Sequence, residues 1–386
     1  MIFALELFGA AVIIFIATHH LWLGAHGRRR AAALPSAWPR VAVLRPIRGR
    51  DPGARENLDA LLESDYPGGS IEFVFLLEDE TDPSFPIVEA AVAAHPARRA
   101  RIVLTGTPPP NRTGKIHSMI KGTELVDADV LAFSDSDTRP QRGALRELVA
   151  LLETDPRNGI AFAPTVAVAS DAKSGDVGYE LLVNAWYGAA LDRLADDRGK
   201  VPFAMGQFMV IRATALDAIG TMRAAEGELV DDMFLGRRMI ESGFANVIAT
   251  SRVPLVIGGM RLREFLPVFR KWLFFSQSGL PDAFKTAGWL RAIPGLGAWT
   301  TLLAGAALSS GMLIAIGVAA LAAFTLSQVR LNRAIGGAVI ALRHYWVAAT
   351  LPFIAAGVAL STKLNHTVSW RGRRYILDHA GRLRAP

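Results

Sequence analysis

Val130-Leu131-Ala132-Phe133-Ser134-Asp135-Ser136-Asp137 runs from four apolar residues directly into alternating hydroxyls and carboxylates. A short unbroken apolar run is what a strand needs when both faces of its sheet are covered, so it reads as a buried strand of a parallel sheet. In such sheets ligands bind beyond the carboxyl ends of the strands, where this run turns acidic. Two carboxylates one residue apart, with no histidine nearby, suit a hard divalent cation. Mg²⁺ or Mn²⁺ held by one or two carboxylates, and otherwise by phosphate oxygens, is the expected arrangement. The plain alternative is an Asp-rich turn.

Working toward the N-terminus, the same alternation repeats. Val41-Ala42-Val43-Leu44, Ile71 to Leu77 and Ala100 to Leu104 read as strands, and Asn57 to Leu62, Ser84 to His95 and Thr113 to Leu125 as helices. The pattern predicts an α/β domain with a mostly parallel sheet. The second strand also ends in acids, Glu78-Asp79-Glu80 with Asp82 beyond. Toward the C-terminus a third acidic pair, Asp231-Asp232, stands ahead of Met233-Phe234-Leu235-Gly236-Arg237-Arg238. It reads equally as an acidic helix start that favours the helix dipole.

The ends of the chain differ from its middle. Of 386 residues 51% are hydrophobic, and long apolar runs gather at both ends. Ile2 to Leu23 is long enough to cross the hydrocarbon core and has no basic residue ahead of it, unlike a signal peptide. Arg28-Arg29-Arg30 follows it, which by the positive-inside rule turns the next domain toward the cytoplasm. Leu296 to Leu326, interrupted by Ser309-Ser310-Gly311, reads as one long tilted helix or a tight pair of short ones. Tyr345 to Leu364 is a further span. Phe265 to Phe275 and Pro281 to Leu290 fit interfacial helices or ordinary amphipathic core helices. Trp370-Arg371-Gly372-Arg373-Arg374-Tyr375 reads as a basic, aromatic anchor at the cytoplasmic interface. The predicted division is 1–25 anchor, 38–262 soluble domain, 263–293 interfacial helices, 294–366 membrane helices and 367–386 basic tail. The net charge of +7 is placed beside apolar runs, which favours a membrane surface over nucleic acid, for which no recognition signature is present. The absence of cysteine excludes disulfides and thiolate metal sites.

Taken in order, Asp79, Asp135-Ser136-Asp137, Asp232 and Arg270-Lys271-Trp272 resemble the motifs of a membrane-bound GT-A glycosyltransferase. The resemblance is to the ceramide glucosyltransferase-like branch, which includes bacterial lipid and hopanoid glycosyltransferases. It extends to Leu44-Arg45-Pro46-Ile47-Arg48-Gly49, Asn57-Leu58, Ser64-Asp65-Tyr66-Pro67 and the ending Trp370 to Tyr375. It implies an inverting transferase in a bacterial-type inner membrane, moving a sugar from a UDP-sugar, glucose in the nearest case, to the hydroxyl of a lipid such as ceramide. Asp79 would contact the uracil or ribose, Asp135 and Asp137 the metal on the diphosphate, and Lys115 the nucleotide or diphosphate. Asp232 would be the general base. The family pattern of Gln or Arg, two residues, then Arg-Trp is kept in part by Val268-Phe269-Arg270-Lys271-Trp272. Arg270 and Lys271 would approach the diphosphate and Trp272 the acceptor, although lysine forfeits the bidentate geometry of arginine.

Gly206-Gln207 precedes a predicted strand, with glycine allowing close approach of a sugar and Gln207 bonding its hydroxyls. His117, Met205 and Trp186 read as packing residues, and Asp196-Asp197-Arg198 as a solvated loop. A hopanoid or other lipid acceptor with another hexosyl donor, a processive polysaccharide synthase of the same fold, and a non-catalytic lipid-binding scaffold are the competing readings.

Overall fold

A computed structural model of the chain describes residues 1–24, 32–67, 71–170, 172–195, 199–279, 282–378 and 381–384. The expectations for Arg28-Arg29-Arg30, Asp196-Asp197-Arg198 and the side chains of Pro281 to Lys285 and beyond to residue 289 lie outside the described residues. After α1 (Ile2–Gly24) come β1 (Val41–Pro46), α2 (Ala54–Leu62), β2 (Ile71–Leu77), α3 (Phe85–Ala94), β3 (Ala100–Leu104), α4 (Gly114–Glu124) and β4 (Val130–Ser134). There follow α5 (Ala144–Glu153), β5 (Asn158–Phe162), β6 (Thr165–Ala169), α6 (Ser174–Glu180), a π-helix (Leu181–Gly188), α7 (Ala189–Leu194), β7 (Lys200–Val201) and β8 (Phe208–Arg212). The sheet domain closes with α8 (Ala213–Ala218), α9 (Asp231–Glu241), β9 (Ala245–Ile248) and β10 (Val253–Ile257). Then come α10 (Leu262–Gly279), α11 (Asp282–Ala307), α12 (Gly311–Ile335), α13 (Tyr345–Leu364) and the strands β11 (Thr367–Trp370) and β12 (Arg373–Ile376).

The main sheet has the order β3-β2-β1-β4-β8-β5-β9-β7, and its first four strands are parallel. The predicted α/β class and mostly parallel sheet therefore hold. Side chains alternate across it: Leu44 and Phe133 pack on one face against Met119, while Val43 and Ala132 face Leu145 on the other. Phe73 and Phe75 are fully buried, and each contributes about 2–3 kcal/mol of burial energy. The strand order reverses direction between β1 and β4, the topological point at which such sheets open a ligand crevice.

Three helices among the described residues are long and apolar enough to cross a membrane: Ile2–Gly24, Gly311–Ile335 and Leu342–Leu364. The apolar stretch from 296 to 326 belongs to two long helices, α11 and α12, not to one helix or two short ones. Ser309 takes a positive φ of 52° at the turn, and the Ser310 hydroxyl caps α12 by accepting from Leu313 N at 3.4 Å. A Cβ at Gly305 would strike Leu313 and Ile314, and one at Gly317 would strike Leu302. The two helices therefore run antiparallel and close, as small residues permit.

Asn332, in the last turn of α12, donates to Glu180 Oε2 at 3.1 Å and accepts from Asn184 at 2.7 Å. At the far end of α13, Arg270 of α10 donates to Thr367 O at 2.6 Å. Between these two contacts α13 packs along the sheet domain, with Val347, Leu351, Ala355 and Val358 in one cluster with Val166, Leu181 and Leu255. The tail read as an interfacial anchor forms the antiparallel β11–β12 hairpin, whose Val368 and following Leu377 are buried in the core of the sheet domain.

Candidate functional site

β4 runs antiparallel to β8 with Ser134 opposite Phe208, so the residue after β4 meets the residue before β8. Asp135 N accordingly donates to Gln207 O at 2.9 Å. The acidic turn is held from beneath by Arg45 of β1, which is wholly buried. Its guanidinium donates to Thr138 O at 2.7 Å, to Thr138 Oγ1 and Ser134 Oγ at 3.0 Å each, and to Asn57 O at 2.8 Å. Burial pushes Arg45 down to about 10, against the pull of Asp137, Asp135 and Asp51. The other side of the turn is fixed by Val256 N, which donates to Asp137 O at 2.8 Å.

Lys115, in the first turn of α4, joins two acidic clusters. Its Nζ lies 2.9 Å from Asp135 Oδ1 and 3.3 Å from Asp231 Oδ2. Burial disfavours its charge, but Asp135, Asp231 and Asp232 outweigh burial and hold it above the usual lysine range. Asp232 Oδ2 accepts from Gly206 N at 2.5 Å and its Oδ1 from Met233 N at 2.8 Å, which fixes the carboxylate at the start of α9. Burial, then the charge of Asp231, push Asp232 up to about 7, opposed by Lys115 and those two amides. A Cβ on Gly206 would lie 2.9 Å from Asp232 Cβ and 3.1 Å from its Oδ2. The missing side chain of Gly206 thus makes room for a protein carboxylate, where the sequence reading expected it to make room for a sugar.

Asp135, Asp137, Lys115, Gln207, Asp232, Lys271 and Trp272 all line one cavity of about 500 Å³. The amide oxygen of Gln207 is buried there without a hydrogen-bond partner. Burial, then repulsion from Arg371, push Lys271 down to about 8, against the carboxylates of Asp137 and Asp135. Three predicted site residues do not line it: Gly206, whose amide holds Asp232, Asp79 and Arg270. Asp79 is exposed, its carboxylate taken by Thr81 N at 2.8 Å and by the Thr81 hydroxyl, and the neighbouring Glu78 lines the cavity in its place. Arg270 turns away from the cavity to the backbone oxygens of Thr367 and Asn365. Successive helical residues point about 100° apart, and here Lys271 and Trp272 face the cavity while Arg270 lies on the side toward α13. His117 is buried with its Nε2 3.0 Å from Thr105 O, and Trp186 packs edge-on against Phe269, both as expected of packing residues.

Asp51, Glu78, Trp370, Arg371 and Arg373 also line the cavity and were not named as site residues from the sequence. Arg48 and Arg373 both pair with Glu78, and Arg371 Nη1 lies 2.6 Å from Asp51 Oδ1. The available signal was the charged residues of 45–51 and 370–375, which interrupt runs that otherwise read as strand or as anchor.

The carboxylates suit a divalent cation. Asp137 Oδ1 is buried without a hydrogen-bond partner, and Asp51 and Asp135 stand close enough to perturb it. Burial, then those two charges, push Asp137 up to about 6, opposed by Arg371 and Lys271. A buried carboxylate oxygen with an unused lone pair among further carboxylates is the surrounding a hard cation neutralises. Among the described residues no three acidic or imidazole side chains enclose a metal by themselves, so a cation here draws its other ligands from elsewhere.

A second, narrow cavity of about 40 Å³ adjoins the first and shares Gln207, Asp232, Trp272 and Phe275 with it. Its remaining walls are mostly apolar, from Val183, Tyr187 and Leu191 on one side and Phe203, Met205 and Met233 on the other. The Trp272 indole donates to Tyr179 OH at 3.1 Å, which fixes the ring between the two cavities. Asp232 is therefore reached from a charged side and from an apolar side.

The profile of glycosyl transferase family 21 matches residues 5–383. Among curated proteins, the ceramide glucosyltransferase of Komagataella phaffii is 30% identical over 135 residues, 34% of this chain and 26% of that protein. Ceramide glucosyltransferase 1 of Caenorhabditis elegans is 21% identical over 243 residues, 63% of this chain and 51% of that protein. The matches span about half or less of the length of these relatives. Among solved structures, the mannosyltransferase PcManGT from Pyrobaculum calidifontis, in complex with GDP-Man and Mn²⁺, aligns with a TM-score of 0.54 at 19% identity. That alignment covers 94% of this chain and 99% of the other, and shows that the fold is shared.

Proposed function

Because the chain belongs to glycosyl transferase family 21, we propose that it transfers a hexosyl group from a nucleotide diphosphate sugar to the hydroxyl of a membrane lipid, with inversion. UDP-glucose and ceramide are the first pair to test. The observation that carries the reading is the position of Asp232, at the junction of a charged cavity sized for a nucleotide sugar and a narrow apolar one.

Asp232, held by the amides of Gly206 and Met233, takes the proton of the acceptor hydroxyl as its oxygen bonds to the anomeric carbon. The bond from that carbon to the diphosphate breaks, and the diphosphate leaves with the electron pair. Asp135 and Asp137 would hold a divalent cation, which when bound neutralises charge on the leaving diphosphate. Lys115 keeps Asp135 and Asp231 in register, and Lys271 adds a positive charge to the same wall. Gln207, with its free amide oxygen, accepts from a sugar hydroxyl. Trp272 and Tyr187 steer the apolar part of the acceptor so that its hydroxyl meets Asp232. The pairing of GDP-Man with Mn²⁺ in the solved neighbour supports a nucleotide sugar and a divalent ion as the combination to supply. We place the soluble domain at the cytoplasmic face of a bacterial-type inner membrane, on the strength of Arg28-Arg29-Arg30 following the first span.

The test is UDP release by the full-length protein in detergent with Mn²⁺ or Mg²⁺. UDP-sugars are crossed with ceramide, hopanoid and diacylglycerol acceptors. Acceptor-dependent release with one pair establishes the reaction and names both substrates. Silence across the whole panel removes the lipid-transferase reading. In the active pair, Gly206→Ala is expected to lower kcat by about a hundredfold by displacing the base, with UDP affinity unchanged. An unaltered kcat would mean that Asp232 does not act from the position Gly206 leaves open.

A further inference from the structure

The β11–β12 hairpin closes with two residues, Arg371 and Gly372, between the paired Trp370 and Arg373. Both have positive φ, 50° and 78°. That backbone favours Asn-Gly, because a non-glycine residue is strained in the left-handed region and asparagine tolerates it better than arginine. The strained position is also well anchored. Val368 and Leu377 are buried on either side of it, Trp370 packs edge-on against Phe275, and Leu383 N donates to Gly227 O at 2.8 Å. Local preference and surroundings therefore both allow a better turn residue than the arginine present, and a reason for arginine is to be sought in its side chain.

That side chain reaches into the cavity. Arg371 Nη1 is 2.6 Å from Asp51 Oδ1, and Nη2 is 3.5 Å from Ser136 Oγ and 3.9 Å from Asp137 Oδ2. It stands as a monovalent cation beside Asp137, one of the two carboxylates that the proposed function gives to a divalent one. A guanidinium cannot keep that place when a metal arrives, but its planar fork matches the phosphate oxygens that arrive with the metal.

We propose that Arg371 is a diphosphate-binding residue, held on Asp51 and beside Asp137 in the donor-free enzyme, and that its side chain swings from the anchored β11–β12 hairpin onto the donor. This rests on the donor reading given above, and the experiment separates the two. Full-length protein in detergent is titrated with Mn²⁺ alone, then with UDP, with GDP and with uridine in the presence of Mn²⁺, and its thermal midpoint is recorded. Arg371→Asn is expected to bind UDP about tenfold to a hundredfold more weakly, as loss of a charge-assisted contact predicts. Uridine affinity should be unchanged, Mn²⁺ affinity equal or tighter, and the thermal midpoint equal or higher, with Arg371→Lys intermediate for UDP. A merely structural role would weaken all ligands together and lower the midpoint, which would overturn the proposal, as would UDP binding at wild-type affinity. If the wild-type protein binds neither UDP nor GDP, the donor reading itself falls and takes this role with it.

Discussion

Asp232→Asn is expected to lower kcat by about a thousandfold, within the range of removing a positioned general base, while UDP affinity changes little. Asparagine keeps the size of the side chain and can still accept from Gly206 N or Met233 N. It cannot accept a proton from the lipid hydroxyl. A variant with unchanged turnover would leave the reaction without its base. The pH profile gives an independent check. Asp232 is raised to about 7 by burial and by Asp231, so below neutrality it is increasingly protonated and inactive. kcat/KM should therefore rise with pH through an acid limb that belongs to the Asp231–Asp232 pair, then level off. Lys271, lowered to about 8 by burial and by Arg371, loses its charge on the alkaline side and should produce a falling limb there. In Asp232→Asn the acid limb should disappear from whatever activity remains. An acid limb in the ordinary carboxylate range, or one that survives the substitution, would reject this assignment.

Arg45→Ala carries the largest expected effect on stability. The side chain is wholly buried and joins the end of β1 to α2 through Asn57 O and to the acidic turn through Ser134 and Thr138. Its removal leaves several buried acceptors unpaired and withdraws a buried positive charge that Asp137, Asp135 and Asp51 feel. The loss should be about 3–5 kcal/mol, as for breaking other buried charged networks. For a domain of this size that is a fall of about 10 °C in the thermal midpoint, measurable in detergent with and without Mn²⁺. The stabilisation that Mn²⁺ confers should shrink as well, because Asp135 and Asp137 are then less firmly placed. A midpoint within about 2 °C of wild type would mean that the turn keeps its shape without the guanidinium.

The fold was legible because its strands are short, apolar and bounded by polar turns. β2 and β3 fall where the sequence reading put them, and β1 and β4 extend that reading by one or two residues. The acids of the site were legible for a related reason: a carboxylate directly after a buried strand has few structural uses. What the sequence could not resolve was direction. Asp79 and Glu78 are adjacent and chemically alike, yet only Glu78 faces the cavity, and the choice is made by the turn with Thr81. Arg270 and Lys271 are adjacent on a helix, and the face of α10 that packs on α13 takes Arg270. Gly206 was recognised as a place of close approach, but what approaches is Asp232, from a helix 26 residues later. The tail escaped because clustered arginines with tryptophan and tyrosine have the same composition in an interfacial anchor as in a strand pair over a charged cavity.

The hairpin also sets an order of events in the making of the protein. One wall of the cavity comes from residues 46–52 and another from residues 369–375, with all the apolar helices after α1 lying between them in the chain. A ribosome that has finished the sheet domain has therefore produced a crevice that is still open on one side. Only after α11, α12 and α13 have been made does the last wall emerge and fold back. Completion of the cavity is in this way coupled to the placement of those helices, and a chain whose final helices go astray carries an unfinished cavity.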